Sequence, residues 1–213
     1  MTDYPREPPD GLPALGANGR ILEGLVTTLN PDGTTNLSPM GPIVDRQLGT
    51  GGTEWLHFRP YAPSTTLENM KRTGRGILHV TDDASLVAMA AVGKLQKLPN
   101  MRKASGFEGM ILTQACRWFS FEVVGLDDRS EMHHVYAKVA EKGTLREHFG
   151  FNRASSAILE LAIMATRIKF LPAEEIRSAV ERLSPVVVKT GDKKDLRALE
   201  TLGQHFDSQL VAS

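Results

Sequence analysis

The chain has 213 residues, with Lys+Arg and Asp+Glu both at 25 and a formal net charge of +0. That balance argues against a nucleic-acid binder, which carries a basic excess, and no apolar run reaches membrane-spanning length. The single cysteine, Cys116, excludes an intrachain disulfide and a cysteine-rich zinc site, and fits a reducing, cytoplasmic setting. A chain this long buries roughly 70% of its unfolded surface and needs no staples.

Residues 1–19, rich in proline, glycine and charge, are expected to be a loose lead-in and do not read as a signal peptide. From Arg20 to about Gly143 the pattern is mostly strands. Ile21–Leu29 is β-branched and ends at Asn30-Pro31-Asp32-Gly33, a turn signal, after which Thr34–Ser38 returns as the second strand of a hairpin. In Asn36-Leu37-Ser38-Pro39-Met40-Gly41-Pro42 a strand ends and two prolines force extended and turn geometry. Backbone groups left out of the ladder there are free for the polar edge of a flat heterocycle; the plain alternative is a strand-ending loop. Gly49-Thr50-Gly51-Gly52 lacks the spacing of a dinucleotide fingerprint or P-loop and reads as a hairpin loop.

Trp55–Arg59 alternates as a strand. The next segment, Pro63-Ser64-Thr65-Thr66-Leu67-Glu68-Asn69-Met70, is the most informative in the chain. It predicts a helix over 64–73 with a Ser or Thr N-cap, Glu68 in its first turn and a stop at Gly74-Arg75-Gly76. The unpaired N–H groups of its first turn favour an anion. Arg59 lies just upstream, so hydroxyls, helix terminus and guanidinium together suggest a phosphate cradle. The competing explanation is an ordinary capped helix with Arg59 on a solvated face.

Further strands are expected at Gly76–Thr81, Phe119–Val124 and His134–Val139, and a short helix at Ser85–Val92 with Ser85 as its cap. Strands with few intervening helices suggest a small barrel or sandwich, an α+β fold that is mainly β. From Phe151 the period turns helical, with one helix from Ala154 to Lys169 and a second opened by Pro172 and limited by Pro185. A third follows Thr190-Gly191-Asp192. Residues 144–213 are read as a helical cap on a barrel domain spanning 20–143.

Other signals are weaker. His133 and His134 are adjacent, so in a strand they face opposite ways and do not share a metal; no His, Asp or Glu cluster has metal-ligand spacing, and none is expected to bind one. Cys116 reads as a packed residue, and no nucleophile elbow appears. His57 and His79 are acid–base candidates by residue type alone, with surface histidines of the barrel as the plainer reading. No catalytic residue is assigned.

The order of segments resembles the FMN-binding split-barrel superfamily of flavin reductases and pyridoxamine-phosphate-oxidase-like proteins. The residues carrying the likeness are Val26-Thr27-Thr28, Asn36–Pro42 and Arg59–Gly74. More closely, the chain is similar to the DUF447 family within it. The hallmarks there are Arg59-Pro60, Thr66-Leu67-Glu68-Asn69, His79–Asp83, Cys116-Arg117-Trp118, Phe151–Ala154 and Lys189-Thr190-Gly191. The resemblance implies a split β-barrel with a C-terminal helical cap that binds FMN as a homodimer, with flavin at the subunit interface. Arg59, Ser64, Thr65 and Thr66 are the expected phosphate ligands, with Asn36, Ser38 and Met40 near the flavin ring. It implies no settled reaction. A flavin-dependent oxidoreductase acting on a small molecule, a pterin or another reduced cofactor, and a flavin-binding module without turnover both remain open.

Overall fold

The computed structural model describes residues 4–50 and 54–210. The chain forms two compact units, Met1–Thr81 with Pro99–Glu147, and Asp82–Leu98 with His148–Ser213.

The first unit is built on one antiparallel sheet. Its strands are β1 (Gly19–Ile21), β2 (Gly24–Leu29), β3 (Thr35–Met40), β4 (Ile43–Asp45) and β5 (Trp55–Phe58). They continue as β6 (Arg75–Val80), β9 (Arg117–Asp127) and β10 (His134–Thr144), in the order β1-β4-β5-β10-β9-β6-β2-β3. A separate hairpin pairs β7 (Met101–Lys103) with β8 (Met110–Leu112). The expected 2–3 hairpin forms with Thr28 opposite Asn36 and Val26 opposite Ser38. Its second strand does not end at Ser38 but runs through Pro39 to Met40. β3 lies at the sheet edge, where a missing N–H costs no ladder bond.

Helix α1 (Thr65–Thr73) packs against β2, β3 and β6 and drives Leu67 and Met70 into a core with Val26, Phe58, Leu78, Phe119 and Phe121. It stops where predicted: Gly74 takes φ 67°, a left-handed conformation that glycine adopts freely, and its N–H returns to the Met70 carbonyl. Gly24 is a case of close approach. A Cβ there would lie 2.5 Å from the His79 carbonyl oxygen, so β2 and β6 meet only without one. The lead-in is more engaged than its composition suggests. Tyr4 packs against the barrel core, and the Pro5 carbonyl accepts from the Leu126 N–H at 2.9 Å. The glycine-rich stretch begins in the turn after β4, while Gly51 and Gly52 lie outside the described residues.

The second unit contains α2 (Ala84–Ala91), α3 (Arg153–Thr166), α4 (Ala173–Thr190) and α5 (Lys193–Leu210), with a 3-10 turn at Ile168–Phe170. Ala88, Ile158, Leu161, Ile176, Leu202 and Phe206 are buried in its core. Asn152 caps α3 by accepting from the Ser155 N–H at 3.1 Å, and donates to the Thr190 carbonyl at 3.2 Å. Two expectations fail here. Asp83, not Ser85, caps α2, accepting from the Leu86 N–H at 2.9 Å; Ser85 is the second residue of the helix and donates to Asp195 at 3.0 Å. Pro185 lies within α4 rather than ending it. The ring forfeits one donor, about 3 kcal/mol in an isolated helix, but the buried Ile176, Ala179 and Val187 hold the segment helical on both sides of it.

Candidate functional site

Pro63 enters α1 through a cis peptide bond with Ala62. Ser64, in extended conformation, is the N-cap: its Oγ accepts from the Leu67 N–H at 3.4 Å, and its carbonyl accepts from the Glu68 N–H at 3.0 Å. The Thr65 and Thr66 N–H groups precede these donors and stand at the open end of the helix, where the macrodipole favours negative charge. Thr65 is exposed, whereas Thr66 is 2% exposed and its hydroxyl accepts from Asn36 Nδ2 at 2.9 Å. The Thr66 side chain is therefore turned inward, and its N–H is the group left at the helix end.

A concavity of about 830 Å³ opens beside this terminus. Pro31 from the hairpin turn, Pro63, Ser64, Thr65 and the outer α1 residues Glu68, Lys71 and Arg72 line it. Two of the expected phosphate ligands, Ser64 and Thr65, face it; Arg59 does not. Arg59 follows β5, and its Nε is buried without a hydrogen-bond partner. Leaving a buried donor unpaired costs about 1–3 kcal/mol, more for a charged group. Among the described residues only one other buried side-chain nitrogen or oxygen, Nδ1 of His133, shares that condition.

The expected ring-side residues fall on one row. Asn36, Ser38 and Met40 alternate along β3 and so share one face of it. Asn36 ties this row to the helix, since Nδ2 bonds both Thr66 Oγ1 and Thr28 Oγ1, the latter at 3.3 Å. Ser38 Oγ reaches its neighbour's Pro39 carbonyl at 3.4 Å, and Met40 packs against the barrel core.

Asn69 stands in the sequence only as part of the Thr66-Leu67-Glu68-Asn69 hallmark, with no role assigned, yet it organises the helix. It is 2% exposed and gives Nδ2 to Thr28 Oγ1 at 3.0 Å and Asn30 Oδ1 at 2.9 Å. Arg72 donates to Asn69 Oδ1 at 3.3 Å and to the Leu29 carbonyl. The signal that could have found Asn69 is its spacing three residues after Thr66, on the helix face that looks at β2.

The two histidine candidates separate. His79 is fully buried in β6, with Nδ1 3.1 Å from the Leu25 carbonyl and Nε2 accepting from the Leu112 N–H at 3.1 Å. Nε2 accepts, so Nδ1 carries the proton and the ring is neutral; burial holds its pKa down at about 4. It is a strut between strands. His57 meets a partner: its Nε2 lies 2.9 Å from His134 Nδ1, and its ring centroid is 5.2 Å from that of Tyr136, directly opposite on β10. Burial, then the charges of His134 and Arg59, lower the His57 pKa to about 4. No group of three or more metal-ligating side chains occurs among the described residues, and none of their helices is long and apolar enough to cross a membrane.

This strand order, with a capped helix packed on the sheet, is that of a split β-barrel. The profile of the DUF447 N-terminal domain, a protein of unknown function, matches residues 22–146, and that of the DUF447 C-terminal part matches residues 152–204. The chain belongs to the DUF447 family. Among solved structures it is similar to the FMN-bound DUF447 protein MM1853 from Methanosarcina mazei, with 21% identity and a TM-score of 0.70 over 87% of this chain and 94% of that one. The styrene monooxygenase flavin reductase from Pseudomonas putida S12 matches at 14% identity, with a TM-score of 0.46 over 59% of this chain and 82% of that one. Component B of nitrilotriacetate monooxygenase from Bacillus cereus matches at 11% identity and a TM-score of 0.46, over 61% and 71%. No curated protein matches the chain.

Proposed function

We propose that this protein binds FMN non-covalently and uses it as an oxidoreductase acting on a small molecule. One observation carries the reading: the unpartnered, buried Nε of Arg59 stands six residues ahead of Thr65 and the open first turn of α1. A phosphate is the group that satisfies a guanidinium and helix N–H donors together. The residues present fit FMN. The Ser64 and Thr65 hydroxyls and the Thr65 and Thr66 N–H groups would hold the phosphate at the concavity, with the guanidinium of Arg59, which does not line it, reaching the phosphate from outside that lining. The β3 row of Asn36, Ser38 and Met40 would run along the rest of the molecule. FMN is favoured over FAD because the chain has one compact cradle and no dinucleotide fingerprint. The bound flavin supplies hydride or single-electron transfer; the protein supplies position and electrostatics. The FMN-bound M. mazei relative supports the cofactor assignment.

We further propose a homodimer, the commonest closed assembly, in a cytoplasmic setting. The second functional reading is a flavin-binding module without turnover, acting as carrier, sensor or assembly partner; it is favoured by His79, an acid–base candidate whose two ring nitrogens are both taken up between strands. Reconstitution with excess FMN and FAD, followed by a visible spectrum, tests the cofactor; dominant retention of FAD, or of no flavin, overturns it. Anaerobic mixing with reduced nicotinamide cofactors then separates the two readings, because only an oxidoreductase able to use that donor bleaches the flavin repeatedly. Sedimentation showing a monomer at micromolar concentration with flavin tightly bound overturns the dimer.

A further inference from the structure

The hydrogen bonds around Asn36 do more than position it; they take up the Nδ2 end of its amide and leave the other. Arg72 can only donate, so Asn69 Oδ1 is an acceptor and Asn69 Nδ2 must be the donor to Thr28 Oγ1 and Asn30 Oδ1. Thr28 Oγ1 then accepts twice, from Asn69 at 3.0 Å and from Asn36 at 3.3 Å, which occupies both of its lone pairs. The second hydrogen of Asn36 Nδ2 goes to Thr66 Oγ1 at 2.9 Å. Both amide hydrogens of Asn36 are therefore spent on the protein. Its Oδ1 makes no hydrogen bond among the described residues, and the residue is half-buried rather than sealed. Asn36 Oδ1 is the end left to accept, on a side chain held by a network that reaches back to Arg72.

Its location narrows what it accepts from. Asn36 is one hydrogen bond from Thr66, in the first turn of α1, while Ser38 and Met40 lie roughly 7 and 13 Å further along β3 at a rise of about 3.3–3.4 Å per residue. If the phosphate sits on that turn, the part of FMN nearest Asn36 is the five-carbon ribityl chain, whose hydroxyls are donors, and the ring comes later on the row. We propose that Asn36 Oδ1 is a specificity-determining acceptor for a ribityl hydroxyl, rather than a contact to the isoalloxazine ring. This deepens the FMN reading and rests on it.

Three flavins dissect the site: FMN carries phosphate, polyol and ring; riboflavin lacks the phosphate; lumiflavin lacks both phosphate and polyol. The wild-type protein and Asn36→Ala are titrated with each. The expected result is that FMN and riboflavin weaken together, by roughly three- to thirtyfold, while lumiflavin affinity is unchanged. Unchanged lumiflavin binding also reports an intact fold. Thr28→Val, which removes one of the two pins, gives the same pattern at smaller amplitude. An equal fall for lumiflavin overturns the inference and assigns Asn36 to the ring. A fall for FMN alone overturns it and assigns Asn36 to the support of the phosphate turn. No change for any ligand also overturns it. A wild-type protein that binds none of the three overturns the FMN reading itself, a result that no Asn36 variant can mimic.

Discussion

The two compact units bury different things. The helical unit is filled by alanine, leucine and isoleucine, and its specified polar contacts are caps and helix ties such as Asn152 with Ser155 and Thr190, or Ser85 with Asp195. The barrel unit buries Thr28, Glu54, Thr66, Asn69, His79, Ser120 and His133 as well as its apolar core. Buried polar groups are costly unless each donor and acceptor is matched, and when matched they admit one geometry. An apolar interior tolerates rearrangement at constant volume; a network such as Arg72–Asn69–Thr28–Asn36 does not.

The sharpest way to break this comparison is to damage each interior in its own manner. Ile158→Ala in the helical core removes a fully buried side chain, and a loss of about 2–5 kcal/mol is expected in urea unfolding, with no added pH dependence. A smaller, pH-dependent loss is expected in the barrel. The folded pKa of His79 is depressed to about 4 from 6.5, so the unfolded chain binds more protons between those values. Stability is then fully present above about pH 6.5 and is lost as pH falls toward 4, by up to about 3 kcal/mol at one pH unit per 1.36 kcal/mol. Unfolding midpoints from pH 7 to 4 for the wild type and His79→Gln measure it; an equal slope in both removes His79 as the cause.

Arg59→Ala sharpens the comparison at the ligand. FMN should bind roughly ten- to a hundredfold more weakly, from a charge-assisted contact of about 1.5–3 kcal/mol, with riboflavin nearly unaffected. Equal losses for both flavins, or none, would remove Arg59 from the phosphate. The smallest effect belongs to the helix cap. Ser64→Ala should cost about 1 kcal/mol of stability, and it should lower FMN affinity more than riboflavin affinity. A drop in stability with no change in the ratio of the two affinities makes Ser64 a cap only.

Much of the barrel could be read along the chain. The 2–3 hairpin, the span of α1, its Ser64 cap and its Gly74 stop are local patterns, decided by residues within a turn or two of one another. The short strands β1, β4, β7 and β8 carry three residues each, too few for periodicity to register. Side-chain pairing was illegible for a different reason. His57 meets His134 across 77 positions, and Asn69 meets Thr28 across 41, so the contacts exist only once sheet register and helix placement are set. Ser85 looked like a cap because any hydroxyl before an apolar run does; Asp83, two residues earlier, was equally eligible, and long-range pairing with Asp195 took Ser85 into the helix.

The discontinuity of the helical unit has a consequence for biosynthesis. Helix α2, Ala84–Ala91, belongs with α3, α4 and α5, yet α3 begins only at Arg153. About 60 residues separate them, so at a synthesis rate of about 5–20 residues per second the apolar face of α2 waits roughly 3–12 s for its partners. During that interval Ala84, Ala88 and Met89 have none of the C-terminal helices to cover them. A chain ending at residue 147 would prolong the wait indefinitely, leaving a sticky eight-residue helix for chaperones or other nascent chains to find.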